Sequence, residues 1–186
     1  MASESPVGFR TSLTRRLWGA ARLDVRAYEE VEADESALRQ ALGIVVASSV
    51  AAGIGHGGYR VTGILVGAAI DLAGWFLWAG LTYWIGTRLL PEEQTEADVG
   101  QLLRTIGFAA TPGLLRVLGI VPGLGEMPIW IAGAWMLAAN FVAVRQALDY
   151  TSSLRTLAVC SVGFALYAPL SLATWVIGFF GSLSPG

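Results

Sequence analysis

Long uncharged apolar segments constrain this chain more than any other feature of its sequence. Residues 40–59, 127–144 and 156–186 contain no Asp, Glu, Lys or Arg, and residues 61–87 contain a single acid, Asp71. A mainly apolar helix of about 17–25 residues spans a hydrocarbon core roughly 30 Å thick. The sequence therefore predicts an integral membrane protein.

The composition agrees with that prediction and excludes several classes of protein. Charged residues make up 14% of the 186 residues, compared with about 25% in an ordinary soluble domain. The net charge of −2 gives no attraction for nucleic acid, which we do not expect as a partner. Cys160 is the single cysteine, so an internal disulfide is excluded. All twelve basic residues are Arg, which is typical of GC-rich genomes and favours a prokaryotic source.

The apolar pattern predicts an all-α polytopic fold with five transmembrane helices. These cover about residues 38–55, 61–89, 102–121, 127–147 and 154–180. Pro112 lies within the third segment and predicts a kink, because proline has no backbone N–H and clashes with the preceding turn. The predicted divisions are a cytoplasmic N-terminal part, the membrane domain and an outer tail, at residues 1–37, 38–182 and 183–186.

The N-terminal part is predicted to contain an amphipathic helix from Phe9 to Val31. Apolar residues recur there at helical spacing, and arginines flank the apolar stripe. Arginine finds anionic lipid at a membrane surface, and tryptophan sits at headgroup level. The residues predicted to contact the membrane surface are Arg15, Arg16, Trp18 and Arg22. The equally weighted alternative is a solvated helix packed on the bundle. The acidic residues 29–35 are expected to form a solvated cap before the first span.

The distribution of arginines predicts the topology. If the N-terminus is cytoplasmic and five helices cross the membrane, ten arginines lie inside and only Arg60 and Arg116 lie outside. This asymmetry follows the positive-inside rule. It places the C-terminus outside and favours the prokaryotic cytoplasmic membrane as the location.

Three stretches of the chain resemble one known family. An acidic lead covers residues 27–34, and Gly107-Phe108 followed by three residues and Pro112 matches a Gly-aromatic-x-x-x-Pro signature. The third stretch is residues 147–158, where a short polar loop leads into the last span. In their order and spacing the three resemble the YIP family, the Ypt/Rab-interacting-protein-like membrane proteins, and its prokaryotic branch most closely.

The resemblance implies a five-span bundle with a cytoplasmic N-terminus. Eukaryotic members of the family act in vesicle traffic and bind small GTPases and each other, and they carry an Asp-Leu-x-Gly-Pro motif before the first span. In this chain Asp71-Leu72-Ala73-Gly74 is followed by Trp75 and lies inside the second span. The absence of the motif argues against binding of a small GTPase. For prokaryotic members the resemblance implies a fold and not a settled activity.

Asp71 is the residue with the strongest functional implication. An acid near the bilayer centre is costly unless it is paired, buried or protonated. At about 1.5 Å per residue, Asp71 and Arg116 differ in depth by roughly 6 Å, which an arginine side chain can bridge. We therefore predict an Asp71–Arg116 pair inside the bundle. It can serve to fix helix register, to couple an ion or proton, or to face a partner.

Small and polar residues give the remaining expectations. Gly63 and Gly67 form a Gly-x-x-x-Gly spacing that favours close helix packing, within this chain or between two copies. Asn140 is expected to hydrogen-bond across helices.

No catalytic, metal or cofactor motif is recognised in the sequence, and we expect no enzyme. The leading interpretation is a scaffold or accessory protein that binds lipids or other membrane proteins. The alternative is a small transporter or permease component that uses Asp71 and Arg116. Transport predicts a polar cavity reaching Asp71, and scaffolding predicts a dry interior.

Overall fold

The chain is a bundle of apolar helices with a short helical hairpin at its N-terminal end. A computed structural model describes residues 12–56 and 61–183, with side chains as far as residue 169. Its α-helices are α1 (Leu13–Ala21), α2 (Val25–Ala33), α3 (Ala37–Gly55), α4 (Val61–Trp84), α5 (Val99–Ala109), α6 (Met127–Ala147) and α7 (Ser153–Leu183). A π-helical turn, Ile85–Leu89, continues α4, and a 3₁₀ helix, Thr111–Ile120, follows α5. The predicted all-α class is confirmed.

The predicted membrane spans coincide with these helices. Residues 37–55, 61–89, 99–120 and 127–147 are helical, long enough and apolar enough to cross a membrane. Within α7, Ser153–Pro169 is a shorter apolar helix. The sequence positions Phe9, Arg10, Arg60 and 184–186 lie outside the described residues.

Successive spans run in alternate directions. At one end the loops 90–98 and 148–152 meet, where the Glu92 carboxylate accepts hydrogen bonds from the backbone amides of Thr151 and Ser152 at 3.0 and 3.1 Å. At the other end α3 meets the 3₁₀ helix, and Gly55 lies directly against the carbonyl of Arg116. The assignment of the first end to the cytoplasm rests on the arginine count and stays a prediction.

The N-terminal segment forms two helices, so the prediction of one helix from Phe9 to Val31 is wrong. The chain reverses at residues 22–24, where Leu23 has a φ of 61° and Asp24 caps α2 by accepting from the Arg26 amide at 3.1 Å. Gly19 lets the two helices approach, because a Cβ there would lie 2.6 Å from Cβ of Ala27. An acid that can cap a helix was the missed signal in the sequence.

The hairpin packs along the side of the bundle. Tyr28 and Val31 of α2 are buried against the core, and the Trp135 indole donates to the Ala21 carbonyl at 2.8 Å. Trp135 lies twelve residues before the end of α6, so the hairpin reaches about 18 Å along that helix. This agrees with the alternative of a helix packed on the bundle.

The middle of the bundle is α5, whose residues 102–109 are all buried. Pro112 ends this helix, because it has no N–H to donate to the Phe108 carbonyl. The Thr111 hydroxyl donates a hydrogen bond to that carbonyl instead, at 2.6 Å, and the chain continues as a 3₁₀ helix. The predicted kink is thus a change of helix type at membrane depth, with the freed acceptor satisfied locally.

Candidate functional site

A cavity of about 710 Å³ lies among the membrane helices. Its wall comes from α3, α4, α5, the 3₁₀ helix, α6 and α7, and most of it is apolar. Asp71 and Arg116 both contribute to this wall. A mainly apolar pocket with a few converging polar groups is the usual form of a ligand site.

The cavity opens on the side of the bundle, between α6 and α7. Leu137 on α6 and Phe164 on α7 line it, yet they are 66% and 57% exposed on the described structure. In a bilayer such surfaces face acyl chains. The cavity is therefore open toward the hydrocarbon of the membrane.

The predicted contact between Asp71 and Arg116 differs in the structure. The two residues interact electrostatically, but they form no ion pair among the described residues. Arg116 instead donates from Nη2 to the Ser48 hydroxyl at 2.6 Å and from Nε to the Gly113 carbonyl at 3.1 Å. Asp71 is exposed to the cavity and not enclosed by protein.

The helix type explains this difference. A 3₁₀ helix rises about 2.0 Å per residue, compared with 1.5 Å in an α-helix. Arg116 follows five residues after the start of that helix at Thr111, so it lies about 2.5 Å nearer the end of the bundle at which α3 ends than a continuous α-helix would place it. There it faces Ser48 on α3, which the sequence did not single out as a partner.

Aromatic side chains form the wall beside Asp71. Trp78 donates to Asn140 Oδ1 at 3.2 Å, which is the kind of bond across helices expected for Asn140. The rings of Trp78 and Tyr167 meet edge to face with centroids 5.9 Å apart. Gly74 lets the Tyr167 hydroxyl approach α4, because a Cβ there would clash with that hydroxyl.

Asp71 and Asn140 were singled out in the sequence, but Trp75, Trp78 and Tyr167 were missed, although the spacing of the two tryptophans from Asp71 carries a signal. Asp71, Trp75 and Trp78 are separated by four and three residues, which places them on one face of α4. All three line the cavity. Ser48 and Tyr167 come from distant parts of the chain, and nothing in their local sequence indicated them.

The Gly-aromatic-x-x-x-Pro signature has a structural basis at the junction of α5 with α3. A Cβ at Gly107 would lie 2.6 Å from Cβ of Ala41 and 3.3 Å from Cζ2 of Trp75, so only glycine fits this contact. Phe108 is fully buried in the core, and Pro112 ends the helix as described above. The three residues therefore fix where α5 lies and where it stops.

Gly63 and Gly67 form no close helix contact among the described residues. A Cβ added at either would meet nothing within 4 Å. The prediction of close packing at this spacing within the chain is therefore not supported by the described part of the structure, whereas contact with a second copy stays a prediction.

The four residues predicted at the membrane surface divide into two kinds. Arg16 is buried, and its guanidinium pairs with Glu30 at 2.8 Å and Asp34 at 2.7 Å, so its predicted surface position is wrong. Trp18 is 62% exposed, and the Arg22 guanidinium lies 4.7 Å from its ring centroid. Arg15 is also exposed, and for these three residues contact with lipid stays a prediction.

The acidic segment before α3 is more than a solvated cap. Glu30 and Asp34 hold Arg16, and the Glu32 carbonyl accepts from Arg104 Nε at 3.0 Å. Burial, together with the negative charge of Asp149, raises the pKa of the Glu32 carboxyl to about 7. The segment therefore fastens the hairpin to α5.

Comparison with known proteins assigns the family. The model of the Yip1 domain matches residues 25–173, which covers the hairpin's second helix and most of the membrane bundle. No curated protein and no solved structure shows a significant match. With four segments apolar and long enough to cross a membrane and a family match over most of its length, the chain is a multi-pass membrane protein that belongs to the Yip1 domain family.

Proposed function

We propose that this protein is a non-catalytic accessory protein of the prokaryotic cytoplasmic membrane, where it binds lipids or other membrane proteins. The observation that carries the proposal is the cavity of about 710 Å³, with its mainly apolar wall and its opening between α6 and α7. A ligand that enters from the side of the bundle must already reside in the membrane. Phe164 and Leu137 at the opening suit such a ligand, because both are apolar and exposed.

The test isolates the protein from its native membrane in mild detergent and measures what remains bound. We expect lipid or one membrane protein to be retained in a fixed ratio to the chain. Ala165→Trp narrows the cavity, since Ala165 lines it and is exposed. The matched control is Ala134→Trp, at an exposed position of α6 outside the cavity wall. Retention that is equal in both variants and in the unchanged protein would contradict a role for the cavity.

The second candidate is a small transporter or permease component. It is favoured by the presence of Asp71 and Arg116 in the wall of one cavity. The mainly apolar remainder of the wall is better suited to an acyl chain than to a hydrated ion. Flux into vesicles that contain the purified protein, lost in Asp71→Asn at equal protein content, would favour the transporter over the accessory protein.

A further inference from the structure

Two opposite charges face the cavity without neutralising each other directly. The Asp71 carboxylate makes no hydrogen bond or ion pair with the described residues, and it acts on Arg116 only at longer range. Arg116 uses Nε and Nη2 on Gly113 and Ser48. Asp71 is exposed, Arg116 is half-buried and both line the cavity, so their remaining charged atoms are accessible from it. A bare carboxylate at this depth is costly unless something pairs with it.

The size of the cavity limits what can supply that partner. A transmembrane helix needs about 17–25 residues and is about 10 Å across with its side chains, which is more than this cavity can enclose. The cavity is too small for the transmembrane helix of another protein. It lies in the range of about 300–1,000 Å³ typical of small-molecule sites.

The charges select among small amphiphiles. A fatty acid would pair with Arg116 and be repelled by Asp71, and a cationic amphiphile would meet the reverse situation. A headgroup that carries both an anion and a cation satisfies both residues at once. The guanidinium is well suited to a phosphate, which it can bind through two N–H groups, and the carboxylate accepts hydrogen bonds from an ammonium.

We propose that the cavity binds one zwitterionic phospholipid, with its phosphate at Arg116 and its ammonium at Asp71. Its acyl chains leave the cavity between α6 and α7. This inference rests on the proposed function and names the ligand class of that same site. The opening lined by Leu137 and Phe164 gives the acyl chains a continuous apolar path to the bilayer. The headgroup then lies about 15 Å below the outer end of α4, counted from Val61 to Asp71.

The experiment uses the full chain in nanodiscs of equal parts phosphatidylethanolamine and phosphatidylglycerol. After exchange into detergent, mass spectrometry measures the lipid that stays bound. We expect phosphatidylethanolamine to exceed phosphatidylglycerol by about tenfold, which corresponds to one charge-assisted contact. Asp71→Asn should reverse that preference, because Arg116 still binds the phosphate and the ammonium has lost its partner. Glu126→Gln, in the exposed loop before α6, removes an acid outside the cavity and should leave the preference unchanged.

A second pair of variants tests binding in the cavity without changing a charge. Ala165→Trp narrows the cavity and should lower the retention of both lipids, whereas Ala134→Trp should not. Equal retention of both lipids by the unchanged protein, or an unchanged preference in Asp71→Asn, would overturn the proposal. In the isolation from the native membrane described under the proposed function, a membrane protein retained by all variants without lipid would overturn the lipid site and leave the accessory function standing. Retention of neither lipid nor protein in that isolation would contradict both.

Discussion

The junction of α5 with α3 and the cavity beside it are both apolar, yet they fill space in opposite ways. At the junction, Gly107 lies against Ala41 so closely that a single methyl group would not fit. At the cavity, by contrast, α4 and α6 meet through the hydrogen bond from Trp78 to Asn140, and about 710 Å³ stays open among α4, α6 and α7. Where all surfaces are apolar, residue size decides which helices close together and which remain separated.

The largest effect is expected at the closed junction. Gly107→Leu should abolish the folded state, since overpacking a well-filled core costs about 1–3 kcal/mol for smaller insertions than this one. Gly67→Leu is the matched control, because a Cβ there meets nothing within 4 Å among the described residues. Thermal unfolding and size-exclusion profiles in detergent would measure both. If the two variants behaved alike, the contrast between closed and open surfaces would be wrong.

The hairpin provides the next test, because it depends on one buried cation. Removing one partner of a buried ion pair typically costs about 3–5 kcal/mol. The carboxylates of Glu30 and Asp34 are 33% and 32% exposed, so we expect Arg16→Gln to cost about 2 kcal/mol. Arg15→Gln changes an exposed neighbour and should be almost neutral. Limited proteolysis between α1 and α3 would report release of the hairpin, and equal cutting in both variants would contradict its docking by Arg16.

A smaller effect is expected from Glu32 and depends on pH. Its pKa of about 7 in the folded protein lies above the ordinary value of 4.5, mainly because the carboxyl is partly buried. The folded state then binds this proton more tightly, and the free energy of unfolding falls as pH rises from about 4.5 to about 7. Glu32→Gln should remove about 1 kcal/mol of that fall, about 2–4 °C in Tm between pH 5 and pH 8. A pH dependence of Tm identical to that of the unchanged protein would exclude Glu32 as its source.

The smallest effect is expected at the end where the loops meet. Hydrogen bonds from Thr151, and also from Ser152, hold the pKa of Glu92 below its ordinary value. The stabilisation that the Glu92 carboxylate gives to this loop contact is therefore complete above about pH 4.5 and is lost as pH falls through the lowered pKa. Glu92→Gln should speed hydrogen exchange at the Thr151 and Ser152 amides near pH 7 without changing global unfolding. Glu93→Gln, at an exposed neighbour, is the control and should leave both amides protected.

The comparison also explains how far the sequence could predict this molecule. Apolar length predicted the spans, because a bilayer requires long apolar helices, and Pro112 predicted a break that the structure confirms. Arginine placement predicted only the topology, which stays a prediction. The cavity could not be predicted, since its wall combines Ser48, Trp78 and Tyr167 from three distant helices. Arg116 was assigned to Asp71 on depth alone, and that count assumed an α-helical rise where the chain forms a 3₁₀ helix. The hairpin was missed because apolar periodicity continues through residues 22–24, where the backbone turns.

The most direct test of the account is a crystal structure of the unchanged protein grown from a lipid phase that contains phosphatidylethanolamine. We expect elongated density between α6 and α7 whose polar end separates Asp71 from Arg116, with Arg116 still bound to Ser48. A collapsed cavity, in which the Asp71 carboxylate and the Arg116 guanidinium are in direct contact, would contradict the account.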